Sequence, residues 1–278
     1  MNSAGRQPQN SVIAIIPARL RSSRLPGKPL LDIAGRPMIV RVVERALAAE
    51  SVGRALVATD DAGILETVRR FGYEAVMTRP DHASGTDRLA EAAAAQAADC
   101  DVVVNVQGDE PLISPRTIDL AVAALSADAD AQVATTSEAI SDASDALSPD
   151  VVKVVTDARG RALYFSRAPV PYPRDAARRH GSLAAALAAE PELLSLFSKH
   201  TGLYVYRRDF LLRYAGWPQG ALERAESLEQ LRALERGAVI TVVRADEPSI
   251  GVDTEDDLER VREIFAAGAG GQGLEVRG

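Results

Sequence analysis

Val12-Ile-Ala-Ile-Ile16 runs directly into Pro17-Ala-Arg-Leu-Arg-Ser-Ser-Arg-Leu-Pro-Gly-Lys28, and the reading of this stretch decides the fold. The first five residues are apolar without alternation and largely β-branched, the pattern of a strand buried on both faces in a parallel sheet. Pro17 ends the apolar run, and the Ser, Pro and Gly that follow shape a loop. Further along, Met38, Val42, Val43 and Ala46 recur at three-four spacing behind Pro37, which predicts a helix with Pro at its first position. Residues 55–58 read as a second strand, closed by Thr59-Asp60-Asp61, which suits the cap of a helix running to Phe71. Residues 74–78 make a third strand, the Ala-rich stretch 89–98 a helix, and residues 102–106 a fourth strand. This alternation predicts an α/β fold: a mostly parallel central sheet flanked by helices, with ligands at the carboxyl ends of the strands.

The rhythm changes after about residue 130. Residues 151–155 and 162–165 flank Thr156-Asp-Ala-Arg-Gly-Arg161 and read as a hairpin, and 203–206 as another strand. Pro169, Pro171 and Pro173 hold the chain extended. Residues 178–198 read as a helical insertion or a mobile loop. Leu222, Leu228, Leu231 and Leu234 predict one amphipathic helix, 239–243 a strand, and 254–266 a closing helix capped by Thr254 with Glu255, Asp256 and Asp257 in its first turn. Residues 1–11 and 269–278 read as tails, and 12–268 as a single domain without internal repeat or linker.

Composition narrows the class. Hydrophobic residues at 46% and a net charge of −7 exclude disorder as the main state. The single Cys100 excludes a disulfide scaffold and suits a reducing compartment. No run approaches 18 apolar residues, and five are too few for a secretory signal, so a cytoplasmic protein without membrane insertion is expected. The negative charge argues against a general nucleic-acid binder.

Against that negative background, Arg19, Arg21, Arg24 and Lys28 are four cations within ten residues, with no acid between them. At 4 Å each pair repels by about 1 kcal/mol even in bulk water, so such a loop is either solvated or filled by an anion such as a phosphate. It is neither a P-loop nor a dinucleotide fingerprint, because GxxxxGK[ST] and GxGxxG are both absent. Two carboxylates belong to the same edge. Asp109 in Gln107-Gly-Asp-Glu-Pro111 follows the fourth strand, and Asp253 in Gly251-Val-Asp-Thr254 precedes the last helix. Taken alone, the first reads equally as a turn and the second as helix capping. Together, two carboxylates beside a cationic loop are what Mg²⁺ bridging substrate phosphates requires. Asp81-His-Ala-Ser-Gly-Thr-Asp87 opens a helix, where Ser84 and Gly85 meet either a base edge or anion, or simply cap the helix. For His200 the default reading is a structural histidine, and for the Glu229-Gln230 pair it is exposed charge on a helix whose leucines face inward. The three His and one Cys lack zinc-ligand spacing.

These residues resemble a family. Ile15-Ile-Pro-Ala-Arg19 with Ser22-Ser-Arg-Leu-Pro-Gly-Lys-Pro29, Val57-Ala-Thr-Asp60, Met77-Thr-Arg-Pro-Asp-His-Ala-Ser-Gly-Thr-Asp-Arg88 and Asn105-Val-Gln-Gly-Asp-Glu-Pro111 are similar to the 3-deoxy-manno-octulosonate cytidylyltransferases. The likeness continues through Val152-Lys-Val-Val155, Ala162-Leu-Tyr-Phe-Ser-Arg167, Lys199-His-Thr-Gly-Leu-Tyr204, Glu226-Ser-Leu-Glu-Gln-Leu-Arg232 and Gly251-Val-Asp-Thr254. Sialic-acid-activating enzymes share the fold and basic loop, but look less like residues 81–87 and 107–111. Residues 168–199 match loosely, and 178–198 is longer than the family pattern.

The resemblance implies a nucleotide-diphospho-sugar transferase-like core with a smaller dimerisation subdomain over roughly 130–205, hence a homodimer. It implies the reaction CTP plus Kdo (3-deoxy-D-manno-octulosonate) to CMP-Kdo and pyrophosphate, with Mg²⁺, for lipopolysaccharide synthesis. By motif, Ala18, Arg19, Arg24, Lys28, Arg79, Ser84, Gly85 and Gln107 would meet CTP. Gln107, Arg167, His200, Tyr204, Glu229 and Gln230 would face Kdo. Asp109 and Asp253 would bind metal, and Arg24, Lys28, Asp109 and Asp253 would carry catalysis. The rivals are a cytidylyltransferase for another acidic sugar (sialic acid or an 8-amino Kdo analogue) and a nucleotide-sensing module without turnover.

Overall fold

The computed structural model describes residues 12–20, 25–82 and 84–269. The chain forms two compact units, one from the parts before residue 119 and after residue 248, the other from residues 119–248. Arg21 and Arg24 of the cationic loop, Ala83, and residues 1–11 and 270–278 of the expected tails lie outside the described residues, while Ala269 belongs to the last helix.

In the first unit the chain runs through β1 (Val12–Ala18), the short hairpin β2 (Asp32–Ile33) and β3 (Arg36–Pro37), α1 (Met38–Leu47), β4 (Arg54–Thr59), α2 (Ala62–Arg70), β5 (Glu74–Met77), α3 (Gly85–Gln96) and β6 (Val102–Asn105). Its sheet is parallel in the order β6-β1-β4-β5. The unbroken apolar run of β1 follows from its central place, since residues 12–16 are all buried. α1 turns Met38, Val42, Val43 and Ala46 inward, as their spacing predicts, and buries Ile39 and Val40 as well; Pro37 stands at its N-cap and not at the first helical position. Asp61 caps α2 by accepting from the Ile64 amide at 2.9 Å.

The last helix of the chain, residues 255–269, belongs to this unit. What positions the site is a small apolar cluster: Leu25, Ile33 and Met38 pack against Val252, Leu258 and Val261. Each such side chain contributes about 1.5–3 kcal/mol on full burial. The cluster thereby pins the end of the basic loop beside the segment 252–254.

α4 (Pro115–Ala127) carries the chain into the second unit. There follow β7 (Val133–Ala139), α5 (Ala143–Leu147), β8 (Lys153–Thr156), β9 (Ala162–Ser166), α6 (Arg174–His180), α7 (Leu183–Ala189), β10 (Ser198–Arg207), α8 (Arg208–Ala215), α9 (Ala221–Glu226), α10 (Gln230–Glu235) and β11 (Ile240–Arg244); α11 (Glu255–Ala269) closes the chain in the first unit. β7 is parallel to β11 and antiparallel to β10, and β8 and β9 form the expected hairpin. The register of β10 on β7 shifts between His200 and Tyr204, a bulge that re-aims the side chains around it.

Residues 178–198 are helical for the most part. α6 and α7 are followed by a 3-10 turn (Pro191–Leu196), and Ala177, Leu183, Leu187 and Phe197 pack with Ile140 and Ala146. The single helix expected over 222–234 is a pair instead. Ser227 takes the left-handed conformation (φ 53°) and separates α9 from α10, although the leucine spacing continues across the break.

Candidate active site

Lys28 is the centre of the first cluster. Gly27, at φ 70°, supplies the left-handed turn that starts the short 3-10 segment Lys28–Leu30. The Lys28 ammonium donates to Asp109 Oδ2 at 2.7 Å, Asp253 Oδ1 at 3.1 Å and the Val252 carbonyl at 2.7 Å. All three of its protons are therefore used.

Asp109 reaches this point because Gly108 lets the chain pass close to the end of β1. A Cβ at Gly108 would lie 2.9 Å from the Pro17 carbonyl oxygen. The Val252 amide donates to the Asp109 carbonyl at 2.9 Å, which fixes the two carboxylate-bearing segments side by side. Helix capping falls to other residues. Thr254 Oγ1 accepts from the Asp257 amide at 3.2 Å, and Asp257 Oδ2 accepts from the Asp253 and Thr254 amides at 3.0 and 2.9 Å. The Asp253 carboxylate is thus turned to Lys28 and not to the α11 N-terminus. The turn at Asp109 is also real, with the Glu110 amide donating to the Gln107 carbonyl at 3.3 Å.

A hard, all-oxygen pair of carboxylates converging on one cation suits Mg²⁺, which takes one or two carboxylates and completes its shell with phosphate and water. The side chains of Asp109 and Asp253 are 36% and 48% exposed, open enough to accept such a partner. Among the described residues no group of three or more His, Cys, Asp and Glu forms a protein-only metal cage.

A second cluster of the same unit surrounds the start of α3. Arg19 Nη2 donates to the carbonyls of His82 and Ser84 at 2.9 and 3.2 Å, so part of this guanidinium shapes the 82–84 segment. Ser84 and Asp87 form a reciprocal capping box, and Gly85 is the first helical residue. Arg79 is exposed and pairs with Asp81 at 3.3 Å, while its amide donates to Glu91. Ala18 ends β1, and Gln107 is half-buried two residues beyond β6.

The remaining candidates all lie in the second unit. Arg167 Nε donates to the Glu226 carbonyl at 2.7 Å, and its Nη1 to the Pro149 carbonyl at 2.9 Å. The Glu226 carboxylate accepts from the Arg167 amide and the Ser166 hydroxyl at 2.9 and 2.7 Å. Glu226 escapes reading from the sequence as a positioning group, although it opens the Glu-Ser-Leu-Glu-Gln motif.

His200 sits edge-on to Phe165 with ring centroids 4.9 Å apart, and Tyr204 lies 5.3 Å from it. Burial pushes the His200 imidazole down to about 3, so the ring is neutral, and pushes the Tyr204 phenol well up. Glu229 begins α10, its carbonyl accepting from the Tyr214 hydroxyl at 2.6 Å. Gln230 is only 6% exposed, yet its amide Nε2 has no hydrogen-bond acceptor among the described residues. Buried donors are almost always satisfied, so this one calls for a water or a ligand oxygen.

The structure thus brings Lys28, Asp109 and Asp253 together at one point, and Arg19, Ser84 and Gly85 at another. Arg167, His200, Tyr204, Glu229 and Gln230 are placed in the second unit.

Comparison with known proteins shows the family. Residues 13–243 match the family model for cytidylyltransferases. A 3-deoxy-manno-octulosonate cytidylyltransferase of Syntrophotalea carbinolica is 53% identical over 251 residues, 90% of this chain and 97% of the relative. That of Geobacter sulfurreducens is 52% identical over 253 residues, 91% and 98% of the two chains. Among solved structures, a CMP:2-keto-3-deoxy-manno-octonic acid synthetase complexed with CTP superposes with TM-score 0.82 at 44% identity, over 93% of this chain and 99% of that one. A 4-diphosphocytidyl-2C-methyl-D-erythritol synthase of Anaerococcus prevotii, 12% identical with TM-score 0.58 over the same shares, shows the fold alone.

Proposed function

The chain belongs to the 3-deoxy-manno-octulosonate cytidylyltransferases within the cytidylyltransferase family, and from that premise and the site geometry we propose that it transfers CMP from CTP to the anomeric hydroxyl of Kdo. The products are CMP-Kdo, for lipopolysaccharide synthesis, and pyrophosphate. The observation that carries the reading is the convergence of Asp109 and Asp253 on Lys28 at the carboxyl edge of the parallel strands.

In this reaction the sugar hydroxyl oxygen bonds to the α-phosphorus as the bond to the pyrophosphate oxygen breaks. The protein's work is positioning and charge stabilisation. Asp109 and Asp253 are the residues that would hold Mg²⁺. Mg²⁺ bound there would supply Lewis-acid polarisation of an α-phosphoryl oxygen and a lowered pKa for the sugar hydroxyl. Lys28 acts as a point charge on the phosphates, exchanging one of its present partners for a phosphate oxygen. Arg19 and Arg24 add guanidinium donors along the triphosphate, and Arg24 with Lys28 stabilises charge growing on the leaving group. Ala18, Arg79, Ser84, Gly85 and Gln107 complete the nucleotide side.

On the sugar-acid side, Arg167 suits the carboxylate, and Gln107, His200, Tyr204, Glu229 and Gln230 suit the hydroxyls. The buried, unpaired Gln230 amide supports this assignment. The reading extends to a cytoplasmic homodimer through family membership. No helix among the described residues is long and apolar enough to cross a membrane.

Pyrophosphate release tests the proposal, with CTP, UTP or ATP offered against Kdo, an 8-amino Kdo analogue and sialic acid, with and without Mg²⁺. Release is expected for CTP with Kdo and Mg²⁺. Faster release with another sugar acid overturns the sugar assignment. CTP binding without release for any sugar overturns the enzymatic reading in favour of a nucleotide sensor.

A further inference from the structure

Thr135, on β7, is fully buried and touches His200 through Nε2 at 2.9 Å. The same hydroxyl lies 2.7 Å from the Leu203 carbonyl oxygen. A carbonyl can only accept, so the single hydroxyl proton of Thr135 goes to Leu203. The hydroxyl oxygen then has only lone pairs to offer the imidazole, and Nε2 must bring the proton. The bulge between His200 and Tyr204 makes this double contact feasible, because it brings the Leu203 carbonyl and the His200 ring onto one β7 residue. Next to it, Thr201 Oγ1 donates to the Thr136 carbonyl at 3.2 Å and also contacts Thr136 Oγ1, which holds the bulge to β7.

The ring is neutral at physiological pH because it is largely desolvated. In a neutral imidazole with a proton on Nε2, Nδ1 is an acceptor. Nε2 is taken by Thr135, so Nδ1 is the ring nitrogen left to meet a ligand.

We propose that Thr135 is a positioning residue for the sugar-acid half of the reaction: it locks His200 in the Nε2–H tautomer and so presents Nδ1 to the substrate as a hydrogen-bond acceptor. This rests on the reading of His200 as a sugar-acid contact. The consequence is selective. An acceptor at Nδ1 takes a sugar hydroxyl and repels a carboxylate, which leaves the acid group of the substrate to Arg167.

The tautomer itself is read from imidazole ¹⁵N shifts of His200 in the substrate-free protein at neutral pH, assigned with a His200→Gln control. The expected spectrum has a protonated Nε2 and a bare Nδ1; a bare Nε2 overturns the lock whatever the activity. Thr135→Val keeps the shape and removes the hydroxyl, and should admit the Nδ1–H form. It should also raise KM for Kdo about tenfold, the size of one misdirected hydrogen bond, with KM for CTP unchanged. Thr135→Ser should restore both. Should Thr135→Val fail to fold, the wild-type spectrum and the Ser variant still decide the lock. A correct tautomer with unchanged KM for Kdo in a folded Val variant overturns the acceptor role. Absence of Kdo turnover in the wild-type protein, with the expected spectrum, overturns the functional reading and leaves the lock standing.

Discussion

Asp109 and Asp253 converge on one ammonium, Lys28 Nζ, at 2.7 and 3.1 Å, although one follows β6 and the other precedes α11. Two carboxylates drawn to one point from distant positions in the sequence are held there by the Val252–Asp109 backbone hydrogen bond and the cluster beneath it. Their separate removal has a clear expected outcome. Asp109→Asn and Asp253→Asn should each lower turnover on the order of 10²-fold or more, as for other losses of one preorganised electrostatic group. Both carboxylates are substantially exposed, so stability should change little. Steady-state pyrophosphate release and melting temperature, measured on the same preparations, separate the two effects. Unchanged turnover sinks the metal assignment.

Lys28 offsets half the charge of that pair from a side chain only 13% exposed. Lys28→Ala should depress turnover without unfolding the protein. It also leaves two carboxylates facing each other across an empty volume, a like-charge contact that a divalent cation relieves. Addition of Mg²⁺ in the absence of nucleotide should therefore raise the melting temperature of Lys28→Ala more than that of the parent protein. A large fall in melting temperature that Mg²⁺ does not reverse assigns Lys28 a structural role instead.

The parts of this arrangement legible in the sequence are those with local signals. β1 is an unbroken apolar run and β6 begins as one, Asp109 follows β6 closely, Asp253 precedes a helix, and Lys28 closes a loop with no acid in it, so charge is conspicuous at each. The sequence leaves Asp253 open between capping and chemistry; in the structure Thr254 and Asp257 make capping bonds and Asp253 also meets Lys28. β7 left no trace in the periodicity. Its Val-Ala-Thr-Thr-Ser sequence looks polar, yet residues 133–137 are buried, with the Thr135 and Thr136 hydroxyls paired to β10. Thr135 was invisible for that reason. The break at Ser227 escaped a leucine pattern, which does not register the sign of φ. α6 and α7 needed their distant partners Ile140 and Ala146 to become a packed element.

Glu223 and Arg232 form a two-pronged pair within the second unit, Nε to Oε2 at 2.7 Å and Nη2 to Oε1 at 2.5 Å, with side chains 3% and 6% exposed. Glu223→Ala strands a buried guanidinium and should cost about 3–5 kcal/mol. The exposed pair Arg213–Asp209, one turn apart on α8, offers the contrast. Arg213→Ala there should cost about 0.3–0.5 kcal/mol. Urea midpoints of the two variants, measured side by side, test the ranking, and near-equal losses contradict it.

His200 links the same desolvation to pH. Its folded pKa is held down at about 3 by burial, against about 6.5 in the unfolded chain. Between those values the unfolded state binds a proton that the native state refuses, so stability rises with pH across the window and is lost as pH falls from about 6.5 towards 3. One such group contributes at most about 1.4 kcal/mol per pH unit, less here because the residue keeps partial exposure. His200→Gln should flatten the dependence of unfolding free energy on pH over the upper part of that window, between about pH 6 and 4.5. Activity should behave differently. Any loss of kcat/KM between pH 7 and 5 must come from other groups, since the imidazole stays neutral throughout. A pH–rate profile whose acid limb near 6 disappears in a folded, active His200→Gln variant would show that the ring titrates in the working range and that its burial is not maintained during turnover.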